Sequence, residues 1–421
     1  MTSPEVFAAE RAEIFGRCWQ YVGHESEVTR PGDYVRRVLG RPIIFLRDSS
    51  GTVRVHFNTC THRGATVCRE DAGNARVFQC FYHAWTFDTA GRLVTTPGAD
   101  GYSHGFDRGD YALRGPAAVE EYRGLYFMAL SAEVTSLREY LGGVTEYLDL
   151  VLDQAALGMR VVPGSHRYSV GANWKLMIEN SMDGYHAPTV HATYFDFVKD
   201  SGGGQREDAL LTGVGRDLGH GHAVIDSPAP WARPIAYWEP FFGEDARADV
   251  ERILSGLIER CGEERGRRMA MNSHNILIFP NLCIVDSAAV TLRRIEPTAP
   301  DRLAVEAWAL APREEGTGSA ALRRRIESFL TFLGPGSFAS PDVVEALESC
   351  QAGFAARAEV EWSDISRGMG RVPTSMDELQ IRTFWRAYAS LMDGKGFPGP
   401  VTEIESPGPA QAARATGHSR R

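Results

Sequence analysis

The sequence predicts an α+β chain of two domains, a small antiparallel β domain followed by a larger one mixing helices and strands. Three observations carry this. Between about residues 34 and 130, short strand-like runs are punctuated by turn residues. After about residue 160, longer helical patterns mix with strands. The 421 residues, 43% hydrophobic and 10% aromatic, can bury a full-sized core divided in two.

The elements follow in order. Ser3-Pro4-Glu5 offers a cap, a first-turn proline and a first-turn acid before an apolar-periodic run through Phe7, Ile14 and Phe15, which predicts a helix. Strand pairs then flank turns: 42–46 and 53–57 around Asp48-Ser-Ser-Gly51, and 85–87 and 93–95 around Asp88-Thr-Ala-Gly91. Further on, 275–279 and 283–292 read as strands. Ser375-Met-Asp-Glu378 matches a capping box for a helix running to Met392, ahead of Gly394. Gly202-Gly-Gly204 reads as a flexible loop, and the Pro-, Ala-, Gly- and Arg-rich tail 405–421 as disordered.

The net charge of -9, from 54 acids and 45 bases without a basic stripe, argues against nucleic-acid binding. No apolar run is long enough to span a bilayer, and Met1-Thr-Ser-Pro-Glu-Val6 lacks the features of a signal peptide, so a cytoplasmic location is expected. Seven cysteines in so long a chain do not form a disulfide framework. Cys18, Cys68, Cys261, Cys283 and Cys350 are expected as buried thiols.

Cys60-x-His62 and Cys80-x-x-His83 differ from those five. They stand at strand ends, in loops that can face each other, and supply two thiolates and two imidazoles. A structural zinc is one reading, but zinc fingers usually pair Cys with Cys and His with His within a loop. Here each loop mixes the two. In a Rieske [2Fe-2S] cluster one iron takes two Cys and the other two His, so two facing loops can each present one ligand to each iron. The mixed spacing favours that electron-relay centre.

The stretch from Asn173 to His191 holds the second cluster of chemistry. Trp174, Met177, Ile178 and Met182 recur at helical spacing, and Asp183 and His186 share a face. His191 would point away from His186 in an unbroken helix, and a bend at Ala187 imposed by Pro188 is expected to return it. Two His plus a carboxylate form the facial triad of non-haem Fe(II) oxygenases. Asp342, delivered by Gly334-Pro-Gly-Ser-Phe-Ala-Ser-Pro341, is the candidate acid, although Ser340-Pro341-Asp342 also reads as an ordinary helix start.

With these pieces in place, the chain resembles the large (α) subunit of Rieske non-haem iron aromatic ring-hydroxylating oxygenases over nearly its whole length. The matching elements include Trp19-Gln-Tyr-Val-Gly-His24, Asn58-x-Cys60-x-His62-Arg-Gly64, Tyr82-His83-x-Trp85, Asn173-Trp-Lys175, Glu179-Asn180, Asp183-x-Tyr-His186, His191, Pro341-Asp342 and Ile381-Arg-Thr-Phe-Trp385. The resemblance implies an antiparallel Rieske β domain plus a helix-grip (START-like) catalytic domain with a curved antiparallel sheet. It assigns 1–37 as an N-terminal helical part of the catalytic domain, 38–158 as the Rieske domain and 159–404 as the catalytic domain. It makes Cys60, His62, Cys80 and His83 the cluster ligands, His186, His191 and Asp342 the ligands of a mononuclear Fe(II), and Asp183 a bridge between His83 of one subunit and His186 of the next. Asn180 is a candidate amide beside the iron. Phe81 and Ala84 stand where many members carry Pro and Gly, which alters the loop without removing a ligand.

The implied activity is that of a terminal oxygenase. It would dihydroxylate an aromatic ring with O2 and electrons relayed from NAD(P)H, with mono-hydroxylation as the nearest variant and a non-catalytic Rieske electron carrier as the alternative of a different class. No dinucleotide fingerprint follows a strand, so a separate NAD(P)H reductase is expected, with or without a ferredoxin. The implied assembly is an α3 homotrimer, or α3β3 with a small β subunit. The loops look most like those of the benzoate, anthranilate, terephthalate and salicylate oxygenases. A buried substrate carboxylate needs a charge partner, for which Arg293, Arg294 and Arg382 are candidates. Apolar lining is expected from Met182, Val190, Phe195 and Phe338.

Overall fold

The structure is a computed structural model that describes residues 1–202, 213–228, 238–286, 289–360 and 362–401. The expectations for 203–204 and for 405–421 lie outside these residues.

The chain divides into two compact units, Ala8–Tyr140 with Met159–Val161, and Met1–Phe7, Leu141–Gly158 and the chain from Val162 onward. Residues 8–37, expected with the catalytic domain, thus belong to the first unit. The cause is strand pairing: Gln20–His24 joins Leu125–Ala129 and Ala118–Tyr122 in a three-stranded antiparallel sheet. Residues 141–158, expected in the Rieske domain, belong to the second unit.

The first unit adds two further sheets. One is ordered Val53–Phe57, Pro42–Arg47, Asp33–Val38, Ala72–Asn74; the other Val77–Gln79, Thr86–Asp88, Leu93–Thr95. Asp48 builds the first predicted turn: its Oδ1 accepts the Ser50 and Thr52 amides at 2.8 and 2.9 Å, and its Oδ2 accepts Arg54 Nε at 2.5 Å. Burial alone would raise this carboxyl, but the hydrogen bonds from Ser50, Arg54 and Thr52 outweigh it and hold it at about 2. One core cluster gathers Ile44, Leu46, Phe78, Trp85 and Phe87 with Cys60 and Cys80, so both loop cysteines are fixed by apolar packing.

The second unit is built on an open antiparallel sheet. Its order is His166–Val170, Arg302–Pro312, Val290–Ala299, Leu282–Asp286, Asn272–Ile278, His222–Pro228, Val214–Gly219. The single strand expected over 283–292 is two antiparallel strands, Leu282–Asp286 and Val290–Ala299, with Asp286 opposite Val290. Helix Trp174–Ser181 packs on the strands Val290–Ala299 and Asn272–Ile278, and helix Leu379–Met392 on His222–Pro228 and Val214–Gly219. That last helix begins four residues after the expected cap. The Ser375 amide donates to Gly213 O, and buried Asp377 accepts from Thr374 and Arg371 instead of capping the helix. Among the described residues no helix is long and apolar enough to cross a membrane.

Candidate functional site

The two Cys-His loops share one backbone design. In the first, Cys60 N donates to Ala65 O and Gly64 N to Cys60 O, both at 2.8 Å. In the second, Cys80 N donates to Trp85 O at 2.8 Å and Ala84 N to Cys80 O at 2.9 Å. Each loop closes through a left-handed residue four positions after its cysteine: Gly64 at φ 81° and Ala84 at φ 56°. Glycine adopts that geometry freely, whereas alanine is strained there by roughly 1–2 kcal/mol. Asn58, fully buried, clamps the first loop: its Oδ1 accepts the Val67 and Cys68 amides and its Nδ2 donates to Cys68 O.

The sulfurs of Cys60 and Cys80 are buried side by side. Burial pushes the Cys60 thiol up, the His62 and Arg63 amides oppose it, and Cys80 pushes it further up. The His62 and His83 rings meet edge to face at 4.6 Å, and buried His83 Nδ1 has no hydrogen-bond partner. Two adjacent thiols beside two adjacent imidazoles, one with an orphaned nitrogen, fit a two-iron cluster with different ligands at each iron.

In the second unit, Asn173 caps helix Trp174–Ser181 by accepting the Lys175 amide at 3.0 Å. The chain then breaks at Met182 and restarts in the short helix Ala187–Val190. His186 precedes that helix and His191 is the joint to the next, Ala192–Asp200. Pro188 lies within the first turn of the short helix, where its missing N–H costs nothing, so the expected bend at Ala187 is absent. One helical turn with a joint at His191 does the work instead. The two Nε2 atoms are 3.1 Å apart, and neither Nδ1 makes a well-formed hydrogen bond. Two imidazole nitrogens at roughly 2.1 Å from one ion, in neighbouring octahedral positions, would lie about 3.0 Å apart. This pair therefore fits a single metal ion. Burial drives His191 down to about 3, with His186 and Arg293 pushing the same way and the Ala339 carbonyl opposing.

Asp183 lines the same cavity, with Oδ2 3.4 Å from His186 Nδ1 and Oδ1 accepting the Tyr185 amide at 2.6 Å. Asn180 lines it too. Asp342 does not. It sits exposed in the first turn of helix Ser340–Gly353, whose Ser340, Val343 and Val344 face the cavity. Among the described residues no three His, Cys, Asp or Glu side chains converge as a metal site.

The cavity has a volume of about 80 Å3. Alternate residues of the sheet form its wall: Ile225, Ser227, Ser273, Asn275, Val285 and Arg293. The intervening residues bury an ionic network on the other face, with His274 Nδ1 3.3 Å from Asp286 and Nε2 3.6 Å from Asp226. Of the three candidate arginines only Arg293 lines the cavity. It is 5% exposed, its Nη2 is 3.4 Å from the Tyr168 hydroxyl and 3.3 Å from Met177 Sδ, and its Nε has no partner. Arg294, on the opposite face, pairs with Glu306 at 2.9 Å and lies over Trp308. Arg382 donates to the carbonyls of Ile365 and Arg367, beside a different groove. The expected apolar wall is also relocated: Met177, Phe332, Leu333 and Val343 line the cavity, while Phe338 stacks on Phe197 and Met182, Val190 and Phe195 are elsewhere. Cys18, Cys68 and Cys283 are buried, whereas Cys261 is half-buried and Cys350 exposed.

Two family models match this chain, the Rieske [2Fe-2S] domain over residues 18–113 and the ring hydroxylating alpha subunit (catalytic domain) over residues 159–394. The chain belongs to the ring-hydroxylating oxygenase α subunits. The catalytic-domain match sets aside the alternative of a bare electron carrier. This α subunit is 34% identical over 388 residues to the anthranilate 1,2-dioxygenase large subunit of Acinetobacter baylyi, covering 87% of this chain and 79% of the relative. It is 33% identical over 381 residues to the toluate 1,2-dioxygenase subunit alpha of Pseudomonas putida, covering 87% and 80%. In structure it is similar to naphthalene 1,2-dioxygenase from Rhodococcus sp. bound to indole, with a TM-score of 0.81 and 29% identity over 93% of this chain and 92% of the other. The α+β class, the Rieske domain and the catalytic domain expected from sequence are thereby established. A family of this kind carries a Rieske [2Fe-2S] cluster and a mononuclear iron, and works with an aromatic substrate, O2 and a reductase.

Proposed function

We propose that this α subunit is the terminal oxygenase for an aromatic carboxylate. The observation that carries the substrate class is Arg293: a buried guanidinium in the wall of the histidine cavity, with an unpartnered Nε and no carboxylate paired to it among the described residues. An uncompensated buried charge is costly, and a substrate carboxylate would satisfy it with charge-assisted hydrogen bonds. The names of the anthranilate and toluate relatives point to the same chemistry.

In this reading Cys60, His62, Cys80 and His83 hold the cluster, while His186 and His191 hold the iron with Asp342 as third ligand. When bound, the cluster supplies single electrons and the iron activates dioxygen. The chain's own residues do the rest. Arg293 anchors the carboxylate; Met177, Ile225, Val285, Phe332 and Leu333 enclose the ring and exclude water. Asp183 orients His186 through its Nδ1 and, in an assembled trimer with or without a small β subunit, bridges to His83 of the neighbouring chain. Asp342 stands in the first turn of the helix whose Ser340 and Val343 line the same cavity, which supports it as the third ligand. Electrons come from a separate NAD(P)H reductase, directly or through a ferredoxin.

The test is reconstitution with a generic reductase and a screen of aromatic acids against neutral arenes for O2-coupled products. Preference for neutral arenes would refute the carboxylate assignment. Metal analysis tests the ligands: one [2Fe-2S] cluster plus one further iron per chain is expected, with the further iron lost in Asp342→Ala. Full iron content in that variant would remove Asp342 from the set.

A further inference from the structure

The two imidazoles of the Cys-His loops rest on unlike supports. His83 touches Tyr82, which is 56% exposed, at 3.8 Å between ring centroids. His62 instead lies flat on the indole of Trp85, 4.6 Å away and tilted by only 9°. Trp85 is 1% exposed and tightly held. Its Nε1 donates to the Tyr102 hydroxyl at 2.9 Å, and the rings of Tyr111 and Phe106 meet it edge-on at 5.3 and 5.8 Å. Phe106 stacks on both tyrosines, at 4.3 and 4.9 Å. Thr61, between Cys60 and His62, ties the first loop to the same segment through its hydroxyl, which donates to Tyr111 O at 2.6 Å. The segment 102–111 contains no strand, so these aromatic contacts and hydrogen bonds define its place.

We infer that Trp85, locked by Tyr102 and Tyr111, is a positioning residue that fixes the plane of His62 and, through it, the electronic properties of the cluster; this rests on the reading of His62 as a cluster ligand. The indole face is electron-rich and attracts an electron-poor ring lying over it. An imidazole bound to the more oxidised iron is the more electron-poor, so the stack favours the oxidised cluster and lowers its reduction potential. Groups that hold a metal's imidazole ligands tune the metal in this way without touching it. The exposed support under His83 gives that imidazole no comparable lock. The pair is thus asymmetric in its supports, with one imidazole on a buried ring and the other against an exposed one.

The experiment uses the full-length, cluster-loaded protein and compares wild type with Tyr102→Phe and Trp85→Phe. The readouts are iron and sulfide content, the EPR spectrum of the reduced cluster and its midpoint potential. Tyr102→Phe removes one hydroxyl and leaves the ring stack; it is expected to keep full cluster content, shift the EPR g-values and raise the potential. Trp85→Phe is expected to raise the potential further. Should Trp85→Phe fail to hold a cluster, Tyr102→Phe decides alone. A Tyr102→Phe spectrum and potential equal to wild type, or a lowered potential, would overturn the inference about Trp85. Absence of a reduced-cluster signal from the wild type would overturn the cluster reading itself, which separates the two failures.

Discussion

Replacing Arg293 by Met tests the substrate anchor most directly. Methionine follows the arginine stem as far as Nε, the site is buried, and the guanidinium's neighbours are a hydroxyl at 3.4 Å and a thioether sulfur, neither of which can neutralise it. A charge-assisted hydrogen bond contributes about 1.5–3 kcal/mol, so losing the anchor should cut kcat/KM for an aromatic carboxylate roughly 10- to 150-fold. A neutral arene of the same size gains nothing from the charge and should change by less than about threefold. Removing an unpaired buried cation also relieves its desolvation, so the thermal midpoint should hold or rise. The assay is steady-state turnover of an aromatic acid and its uncharged analogue, with a melting curve as control. Equal losses for both substrates, with the midpoint unchanged, would refute the anchoring argument. Arg293→Lys, which keeps charge but not the planar fork, should fall between wild type and Met.

Three other outcomes are expected. Asp183→Ala should keep both metal centres by iron and sulfide analysis yet lose coupled turnover, because it removes the carboxylate 3.4 Å from His186 to which the proposal gives the bridging role; normal product formation would contradict that role. Ala84→Gly should retain the cluster fully, whereas Ala84→Val, forcing a β-branched residue into φ 56°, should lose most of it, as read by sulfide content. Asp48 is held at about 2 against an unfolded value near 3.8, so it stabilises the fold fully above pH 3.8 and loses that contribution as pH falls through 2. Asp48→Asn should therefore cost roughly 2 kcal/mol near neutral pH in denaturant unfolding, a deficit that shrinks in acid.

What the sequence disclosed and what it hid divide along a physical line. Ser3, whose hydroxyl accepts the Val6 amide at 3.1 Å, and the turn at Asp48 were legible because their chemistry is local: the partners lie within a few residues. The mixed Cys-His loops were legible because ligand spacing is itself a local constraint, and His186 and His191 because one helical turn sets their separation. Orientation across the fold was not legible. Ser375 looked like a cap, but its amide is taken by Gly213, far away in sequence, so the helix starts later. Arg293 and Arg294 are adjacent and chemically alike, yet the strand's two-residue period sends one into the cavity and the other onto Glu306 and Trp308. Tyr168, Ser273 and Asn275 were missed for the same reason, since nothing in a single strand says which face a helix will cover. Asp342 marks the boundary between the two cases: its neighbours Ser340 and Val343 reach the cavity, and a helix period of 3.6 residues turns its own side chain away from them. The candidate ligand least determined by local spacing is therefore the one that the fold leaves outside the cavity.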